Sequence, residues 1–329
     1  IKYPGFSRDI ISFGIVKKIN LDPNKNLSIE ISLTTDNHEN KKIISNDIQR
    51  EISKKFNFNK IDILFIENSQ SSSKDSDNSQ AKIKKIIAIS SCKGGVGKST
   101  ISVNLASTWA REGARVGLLD ADIYGPDIPT MFGVQEKPRI ADEEVVPIEA
   151  HGVKLMSIGF LIEEDAPAIW RGPIIMGVIR QFLQQVKWGE LDYLVIDLPP
   201  GTGDAQLSLC QLVRVDGAVM VTTPQDVAVG GVLRGIRMFE KLDVQVLGIV
   251  ENMRGFECPG CGEKHDIFGR GGGERLAASI DVPFLGAVPL GVAVREEGDR
   301  GVPTSIGRPE APEARAFREV SAVASSRLK

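Results

Sequence analysis

Residues 86–100 read IIAISSCKGGVGKST. An apolar, β-branched run at Ile86–Ile89 leads into a glycine-rich turn and a helix-like segment, the order that joins a strand, a phosphate-binding loop and a helix. The glycines let successive backbone amides point inward, Lys98 adds a cation beside the β- and γ-phosphates, and the Ser99 hydroxyl can bind Mg²⁺. The stretch predicts a site for ATP and Mg²⁺, formed by Gly94, Gly95, Val96, Gly97, Lys98, Ser99 and Thr100.

This phosphate-binding loop departs from the usual pattern at its first position. Cys92 occupies the place of the first glycine, and Lys93 follows it. A lysine on the rim of such a loop can reach a nucleotide held by a facing subunit and supply charge where phosphoryl transfer develops it. Lys93 and Lys98 are therefore candidate catalytic residues, and Lys93 predicts a homodimer.

The composition is that of an ordinary globular protein. The chain has 329 residues, 42% of them hydrophobic, and a formal net charge of -3. No strongly basic segment suggests a nucleic-acid partner, and no run of about 18 uncharged apolar residues suggests a membrane span. Four cysteines are too few for a disulfide framework, which favours a reducing compartment such as the cytoplasm. Because residue 1 is Ile rather than Met, a targeting segment could be missing, and the interior of an organelle is the alternative location.

An abrupt change in composition predicts two domains. Residues 1–82 contain ten of the twelve asparagines but two of the 33 glycines. Residues 1–67 are predicted to form a small α+β domain and residues 68–82 a flexible linker, with the ATP-binding domain at 83–329. The small domain is expected to contain strands at Phe13–Ile19, Leu27–Leu33 and Ile61–Ile66 and a helix at Ser45–Phe56.

The second domain is predicted to be a doubly wound α/β fold with a mostly parallel sheet. Short apolar runs alternate with helix-length segments, as in sheets covered on both faces. The predicted strands are Ile86–Ser90, Val116–Leu119, Leu155–Ile158, Tyr193–Ile196, Ala218–Thr222, Val246–Val250 and Phe284–Val288.

Polar residues follow several of these strands, at the sheet edge where ligands of such folds bind. Asp122 follows the second strand and can orient the attacking water, while Asp197 follows the fourth and can hold Mg²⁺. Asn252 follows the sixth, and its amide can read the edge of an adenine. Each aspartate could instead be a helix cap or a turn residue, and Asn252 could instead be a turn residue.

A cysteine knuckle, Cys258–Gly262, follows Asn252 closely. Thiolates spaced as Cys-x-x-Cys suit zinc or an iron-sulfur cluster, both of which ordinarily take four ligands. The chain has no second pair, so two copies that each donate Cys258 and Cys261 would complete the set. An internal disulfide and a zinc site completed by His265 are the alternatives. Cys92 is expected to face the phosphates and Cys210 to lie in the core.

The chain resembles the Mrp/ApbC-type iron-sulfur cluster carrier ATPases, relatives of the MinD/ParA group. The resemblance is carried by the phosphate-binding loop, the segments Asp120–Pro129 and Asp197–Asp204, the Glu251-Asn252-Met253 triplet and the cysteine knuckle. The resemblance implies a homodimer that bridges a [4Fe-4S] cluster, receives it from cluster donors and transfers it to apo-proteins, with slow ATP hydrolysis. It also implies that Lys93 is the signature lysine, that Asp122 positions the attacking water and that Asp197 is the Walker B aspartate.

The first domain resembles a small domain found in iron-sulfur assembly factors, through Phe13–Val16 and Leu33–Thr35. That domain usually continues with Pro-Ala-Cys-Pro, whereas this chain has Asp36–Glu39. Because the cysteine of that segment is absent here, we expect the first domain to serve as a docking or structural unit.

The alternative function is a MinD/ParA-like positioning or partitioning ATPase with a structural zinc at the cysteine knuckle. It requires an element that reaches a membrane or DNA. The C-terminal segment has apolar residues at helical spacing, Ala314, Phe317, Val320 and Val323, but such a stripe is more often docked on its own domain.

Overall fold

The computed structural model describes residues 16–22, 25–33, 38–56, 58–67, 83–141, 144–161, 172–202 and 204–328. The chain divides into two compact units, residues 1–74 and 75–329. The predicted linker at 68–82 lies outside the described residues, as do Phe13, Gly14 and Ile15.

The first unit is a three-stranded sheet with one helix among its described residues. Strand β2 pairs antiparallel with β1 and parallel with β3, so that α1 forms the crossover between β2 and β3. The core consists of alternate residues of β2 and residues four apart on α1. The helix begins seven residues before the predicted Ser45, because its first turn is polar and carries no apolar period. The elements are β1 Val16–Leu21, β2 Asn26–Leu33, α1 His38–Lys55 and β3 Lys60–Glu67.

The second unit is built on a sheet of nine strands among the described residues, in the order β13-β12-β11-β4-β10-β5-β9-β8, with β14 also paired to β12. The central strands are parallel, and β8 and β13 are antiparallel to their neighbours. The strands are β4 Ile83–Ser90, β5 Val116–Asp120, β6 Arg139–Ala141, β7 Glu144–Val146, β8 Ile148–Ala150, β9 Val153–Ser157, β10 Leu191–Asp197, β11 Gly217–Thr222, β12 Val246–Glu257, β13 Lys264–His265 and β14 Phe284–Leu290.

Helices cover this sheet. Every residue of β5 is buried, as expected for a parallel strand with layers on both faces. The doubly wound α/β fold is confirmed, and each predicted strand of this unit is present. The helices are α2 Lys98–Arg111, α3 Ile128–Met131, α4 Gly172–Gln185, α5 Asp204–Leu212, α6 Asp226–Lys241, α7 Gly272–Ser279, α8 Val292–Asp299, α9 Thr304–Gly307 and α10 Pro312–Ser326.

The amphipathic C-terminal segment forms α10, which packs on its own unit against β14 and α2. Ala314, Phe317 and Val320 are buried there. Within the part of the chain that the structure describes, no helix has both the length and the apolar character required to span a membrane.

Two features of the sheet differ from the prediction. The short strands β6, β7 and β8 were not predicted, because each has three residues and no long apolar run. Strand β12 continues beyond the predicted end at Val250, where polar residues replace apolar ones. Met253 and Gly255 have positive φ angles of 62° and 68°, and the register with β14 shifts between Asn252 and Phe256. As a result β12 runs directly into the cysteine knuckle.

Candidate functional site

The phosphate-binding loop connects β4 to α2, and its glycines are required by the backbone. Gly95 and Gly97 have φ angles of 80° and 82°, in the left-handed region that glycine adopts most easily. A Cβ atom on Gly97 would also lie 2.2 Å from Asn252 Nδ2. The spacing of the glycines therefore reflects both local conformation and the close approach of β12.

Lys98 lies at the centre of a buried charge cluster. Its side chain is 6% exposed, with Nζ 2.6 Å from Asp197 Oδ2 and 3.3 Å from Asp122 Oδ2. The predicted residues Lys98, Asp122 and Asp197 thus lie together, although they come from three different elements. A buried ammonium is tolerated only when opposite charge and hydrogen bonds compensate its desolvation.

Asp197 is held by hydroxyl groups at the end of β10. Its Oδ2 accepts a hydrogen bond from Ser99 Oγ at 2.7 Å, and its Oδ1 accepts one from Ser102 Oγ at 2.6 Å. Ser102 was not predicted, although it lies one helical turn after Lys98 and so on the same side of α2. A hydroxyl and a carboxylate are hard oxygen ligands, so Ser99 and Asp197 fit Mg²⁺. Mg²⁺ held there would neutralise charge on the phosphates.

Asp120 and Asp122 extend the acidic cluster from β5. Asp120 is fully buried, and its carboxylate accepts hydrogen bonds from Ser157 Oγ at 2.7 Å and the Asp122 amide at 3.2 Å. Burial, followed by the negative charge of Asp197, raises the pKa of Asp120 well above its ordinary value. Burial also raises the pKa of Asp122. A carboxylate with a raised pKa is better suited to accept a proton or a hydrogen bond from water.

Asn252 links β12 to the phosphate-binding loop. Its side chain is 4% exposed, and Nδ2 donates a hydrogen bond to the Val96 carbonyl at 2.9 Å. The predicted role of Asn252 in reading the edge of an adenine remains a prediction. Asn252 also lines a cavity of about 420 Å³, whose other walls include Thr100, Met253, Pro289, Leu290 and Arg295.

The two residues that open the phosphate-binding loop lie in different environments. Lys93 is exposed and forms no ion pair with the described residues. The prediction that Cys92 faces the phosphates is wrong. Its side chain lies against α6, where a Cβ on Gly235 would be 2.7 Å from Cys92 Sγ. The glycines of α6 allow this close packing, and burial raises the pKa of the Cys92 thiol.

The cysteine knuckle is a tight exposed turn. The Cys258 amide donates to the Glu263 carbonyl at 2.9 Å, and the Gly262 amide donates to the Cys258 carbonyl at 2.8 Å. Both thiols are free, with Cys261 exposed and Cys258 partly exposed. Hydrogen bonds from the backbone amides of Gly260 and Cys261, with a contribution from the Cys261 thiol, lower the pKa of Cys258. Thiolate character suits the binding of zinc or iron.

The cysteine pair has no further ligand in the part of the chain that the structure describes. Among the described residues, no group of three or more His, Cys, Asp or Glu side chains could hold a metal ion. His265, considered as a third ligand, instead lies with Nε2 3.6 Å from Glu263 Oε2. Cys210 is buried in the core as predicted, and burial raises its pKa to about 12. A four-ligand metal centre at the knuckle therefore needs donors from outside these residues.

Comparison with known proteins gives concordant matches. A family model described as an NUBPL iron-transfer P-loop NTPase of the ParA group matches residues 82–324. The chain is similar to an iron-sulfur cluster carrier protein of Synechocystis, with 44% identity over 330 residues that cover 98% of this chain and 93% of the relative.

Solved structures show the same fold. The chain is similar to a nucleotide-binding protein of Archaeoglobus fulgidus in complex with ADP, in which cobalt was found, with a TM-score of 0.62 and 44% identity; the match covers 69% of this chain and 90% of that one. It is also similar to the cell division ATPase MinD of Pyrococcus furiosus, with a TM-score of 0.58 and 21% identity over 74% of this chain and 99% of that one. The likeness to MinD concerns the fold alone.

Proposed function

The chain belongs to the NUBPL-type iron-transfer P-loop NTPases of the ParA group, as the resemblance of its motifs indicated, and on that premise we propose that it is an ATP-dependent iron-sulfur cluster carrier. Two copies of the chain hold one [4Fe-4S] cluster through Cys258 and Cys261 of each copy. The cluster is cargo, which the dimer receives from a donor and transfers to apo-proteins.

The observation that carries this proposal is an incomplete metal site in a chain that also contains a preorganised phosphate-binding loop. Cys258 and Cys261 are free and accessible, and no third ligand joins them among the described residues. A cluster bridged by two chains satisfies four iron atoms with four thiolates and leaves the cargo at the surface, where an acceptor can reach it. The Synechocystis relative is named as a carrier of such clusters.

The nucleotide side of the proposal is hydrolysis of ATP to ADP and phosphate. Water attacks the γ-phosphorus as the bond to the bridging oxygen breaks, and Asp122 orients that water. Lys98 binds the β- and γ-phosphates once they replace its carboxylate partners, while Ser99 and Asp197 hold Mg²⁺. Lys93 of one copy reaches the nucleotide of the other, which explains why an exposed lysine belongs to the loop. The Archaeoglobus relative was solved with ADP.

Anaerobic reconstitution with ferrous iron and sulfide tests the cluster site. We expect about two iron and two sulfide per chain in a dimeric species, as required by one [4Fe-4S] cluster for two chains. The double variant Cys258→Ser, Cys261→Ser should lose both elements but still bind ADP, since the cysteines are not part of the phosphate-binding loop. Cys210→Ser is the matched control and should keep the cluster, because Cys210 lies in the core.

Two results would overturn the proposal. The first is a double variant that retains the iron and sulfide of the wild type. The second is a loaded wild-type protein that stays monomeric in native mass spectrometry and analytical ultracentrifugation. Zinc bound without sulfide would instead favour a structural metal in a positioning ATPase.

A further inference from the structure

Glu251 is a buried carboxylate that the nucleotide site does not use. It lies on β12 immediately before Asn252 and is 0% exposed. Its Oε1 accepts a hydrogen bond from the Gly271 amide at 2.8 Å, and its Oε2 accepts one from the Gly273 amide at 2.6 Å. Hydrogen bonds from two amides at the start of α7 offset the cost of burying this charge. Arg254 Nε lies 3.5 Å from Oε1.

The glycine run that Glu251 binds is held tightly in place. A Cβ on Gly272 would lie 2.2 Å from the Pro224 carbonyl oxygen, and one on Gly273 would lie 3.3 Å from Glu251 Oε2. Gly271 has a φ of 74°, in the left-handed region. Side chains at these positions would push the start of α7 away from Glu251, so the sequence preserves close contact between the carboxylate and this backbone.

These contacts close a loop that contains both cysteines. The knuckle segment, residues 258–270, begins at the end of β12, pairs with β12 again through β13, and ends next to Gly271, whose amide binds Glu251. Glu251 therefore fixes the far end of the knuckle segment, beyond β13, to the strand from which the segment departs. Arg254 also contacts α7, with Nη2 2.9 Å from Glu274 Oε2, but Glu274 is 52% exposed and this ion pair holds α7 only weakly.

The same point of β12 contacts the phosphate-binding loop. Asn252 donates to the Val96 carbonyl, whereas the neighbouring Glu251 binds the start of α7. Successive side chains of a strand point to opposite faces, so a shift of this backbone moves both contacts together. Through these two neighbouring side chains, β12 connects the Val96 carbonyl of the phosphate-binding loop to the start of α7, where the knuckle segment ends.

We propose that Glu251 is a positioning residue that couples the nucleotide state of the phosphate-binding loop to the placement of the cysteine knuckle. The functional consequence of this coupling is that ATP changes the rate at which the cluster leaves the dimer. That consequence rests on the proposed carrier function. The proposal concerns the contacts of Glu251 with Gly271 and Gly273, and it assigns Glu251 no contact with nucleotide or cluster.

The variant Glu251→Gln tests this coupling with little change in shape. An amide group replaces one oxygen, so one of the two glycine amides faces a donor instead of an acceptor. The matched control is Glu274→Gln, which makes the same chemical change three residues from Gly271 but at a side chain that is 52% exposed and binds Arg254. The full-length chain, loaded anaerobically, is assayed for cluster transfer to an apo-ferredoxin with and without MgATP.

The measured quantity is the rate of cluster transfer with MgATP divided by the rate without it. We expect this ratio to differ from one and to be the same in the wild type and in Glu274→Gln. In Glu251→Gln the ratio should lie within about twofold of one, since the coupling between the sites is lost. Iron content and ADP affinity should match the wild type, which separates lost coupling from a damaged site. A Glu251→Gln ratio equal to that of the wild type would overturn the proposal.

Amide hydrogen exchange gives a second readout that needs neither the cluster nor a stable variant. In the wild-type chain without iron, MgATP should change the protection of peptides that cover residues 258–273, including the Gly271 and Gly273 amides. Unchanged protection there would overturn the proposal even if Glu251→Gln failed to fold. A wild type that binds no cluster but shows this change would contradict the carrier function and leave the coupling supported.

Discussion

The phosphate-binding loop and the cysteine knuckle are connected by a single strand, β12, yet they differ in how complete they are within one chain. Lys98 is 6% exposed and Asp197 is fully buried, with their charges paired inside the chain. Cys258 and Cys261 are accessible, and the described residues supply no further ligand. The fold therefore preorganises the nucleotide contacts, whereas the described residues supply the candidate metal site with two thiols and no further ligand.

The Lys98→Ala variant tests the buried region most severely. Loss of the ammonium leaves the carboxylates of Asp197 and Asp122 without a cation, which should lower the free energy of unfolding by about 3–5 kcal/mol. ADP binding should also be lost. Urea unfolding followed by tryptophan fluorescence reports on this unit, because all three tryptophans lie in residues 83–329. A decrease below about 1 kcal/mol would contradict a tightly preorganised charge cluster.

Lys93→Ala sharpens the comparison, because Lys93 belongs to the loop but is exposed like the knuckle. If it acts on the nucleotide of a second chain, ATP hydrolysis should fall by about 100-fold. ADP affinity and unfolding free energy should stay within about 0.5 kcal/mol of the wild type. Steady-state phosphate release measures the effect, with Lys241→Ala, another exposed lysine, as control. Unchanged turnover would mean that the loop is catalytically complete in one chain.

Ser102→Ala probes a single contact within the buried region. It removes the hydrogen bond to Asp197 Oδ1 and should cost about 1–3 kcal/mol of unfolding free energy, because a buried carboxylate oxygen loses its donor. Ser107 on the same helix is equally buried, but its hydroxyl has no partner among the described residues. Ser107→Ala should therefore cost less than Ser102→Ala. Equal losses for the two variants would show that the contact to Asp197 adds no stability.

The smallest effect on stability is expected at the cysteine knuckle. Replacement of Cys258 and Cys261 by serine in the metal-free protein should change the unfolding free energy by less than about 0.5 kcal/mol, since neither thiol is packed in a core. Cys210→Ser should cost about 1–3 kcal/mol, because it places a hydroxyl in the apolar surroundings of α5. Urea unfolding under reducing conditions compares the two. A large loss for the double variant would assign the cysteines a structural role.

The strands of the second unit were predictable because parallel strands that are covered on both faces have continuous apolar sequences. The loop residues were predictable as well, since only glycine easily adopts the conformation found at Gly95 and Gly97. The continuation of β12 was not predictable from apolar pattern. The continuation begins with the polar residues Glu251 and Asn252, and Met253 adopts a left-handed conformation that is uncommon for such a side chain.

The partners of the buried polar groups were also missed. Ser102, Ser157 and Glu251 are separated from the groups they bind by 95, 37 and 20 residues. A lone serine or glutamate in an apolar segment signals that a partner exists, because burial without one is costly, but it does not identify that partner. Cys92 was misplaced for a related reason, since its packing depends on glycines of α6 that are distant in sequence.

By itself, the sequence determined the order of strand, loop and helix, and it identified the candidate phosphate-binding residues and the candidate pair of metal-binding thiols, because these depend on local conformation and on side-chain chemistry at fixed spacing. Only the tertiary structure decided which distant groups meet. It brought Lys98 together with Asp122 and Asp197, turned Cys92 towards α6 and brought Glu251 against the start of α7. Such contacts arise from the packing of separate elements, and no short stretch of sequence specifies them.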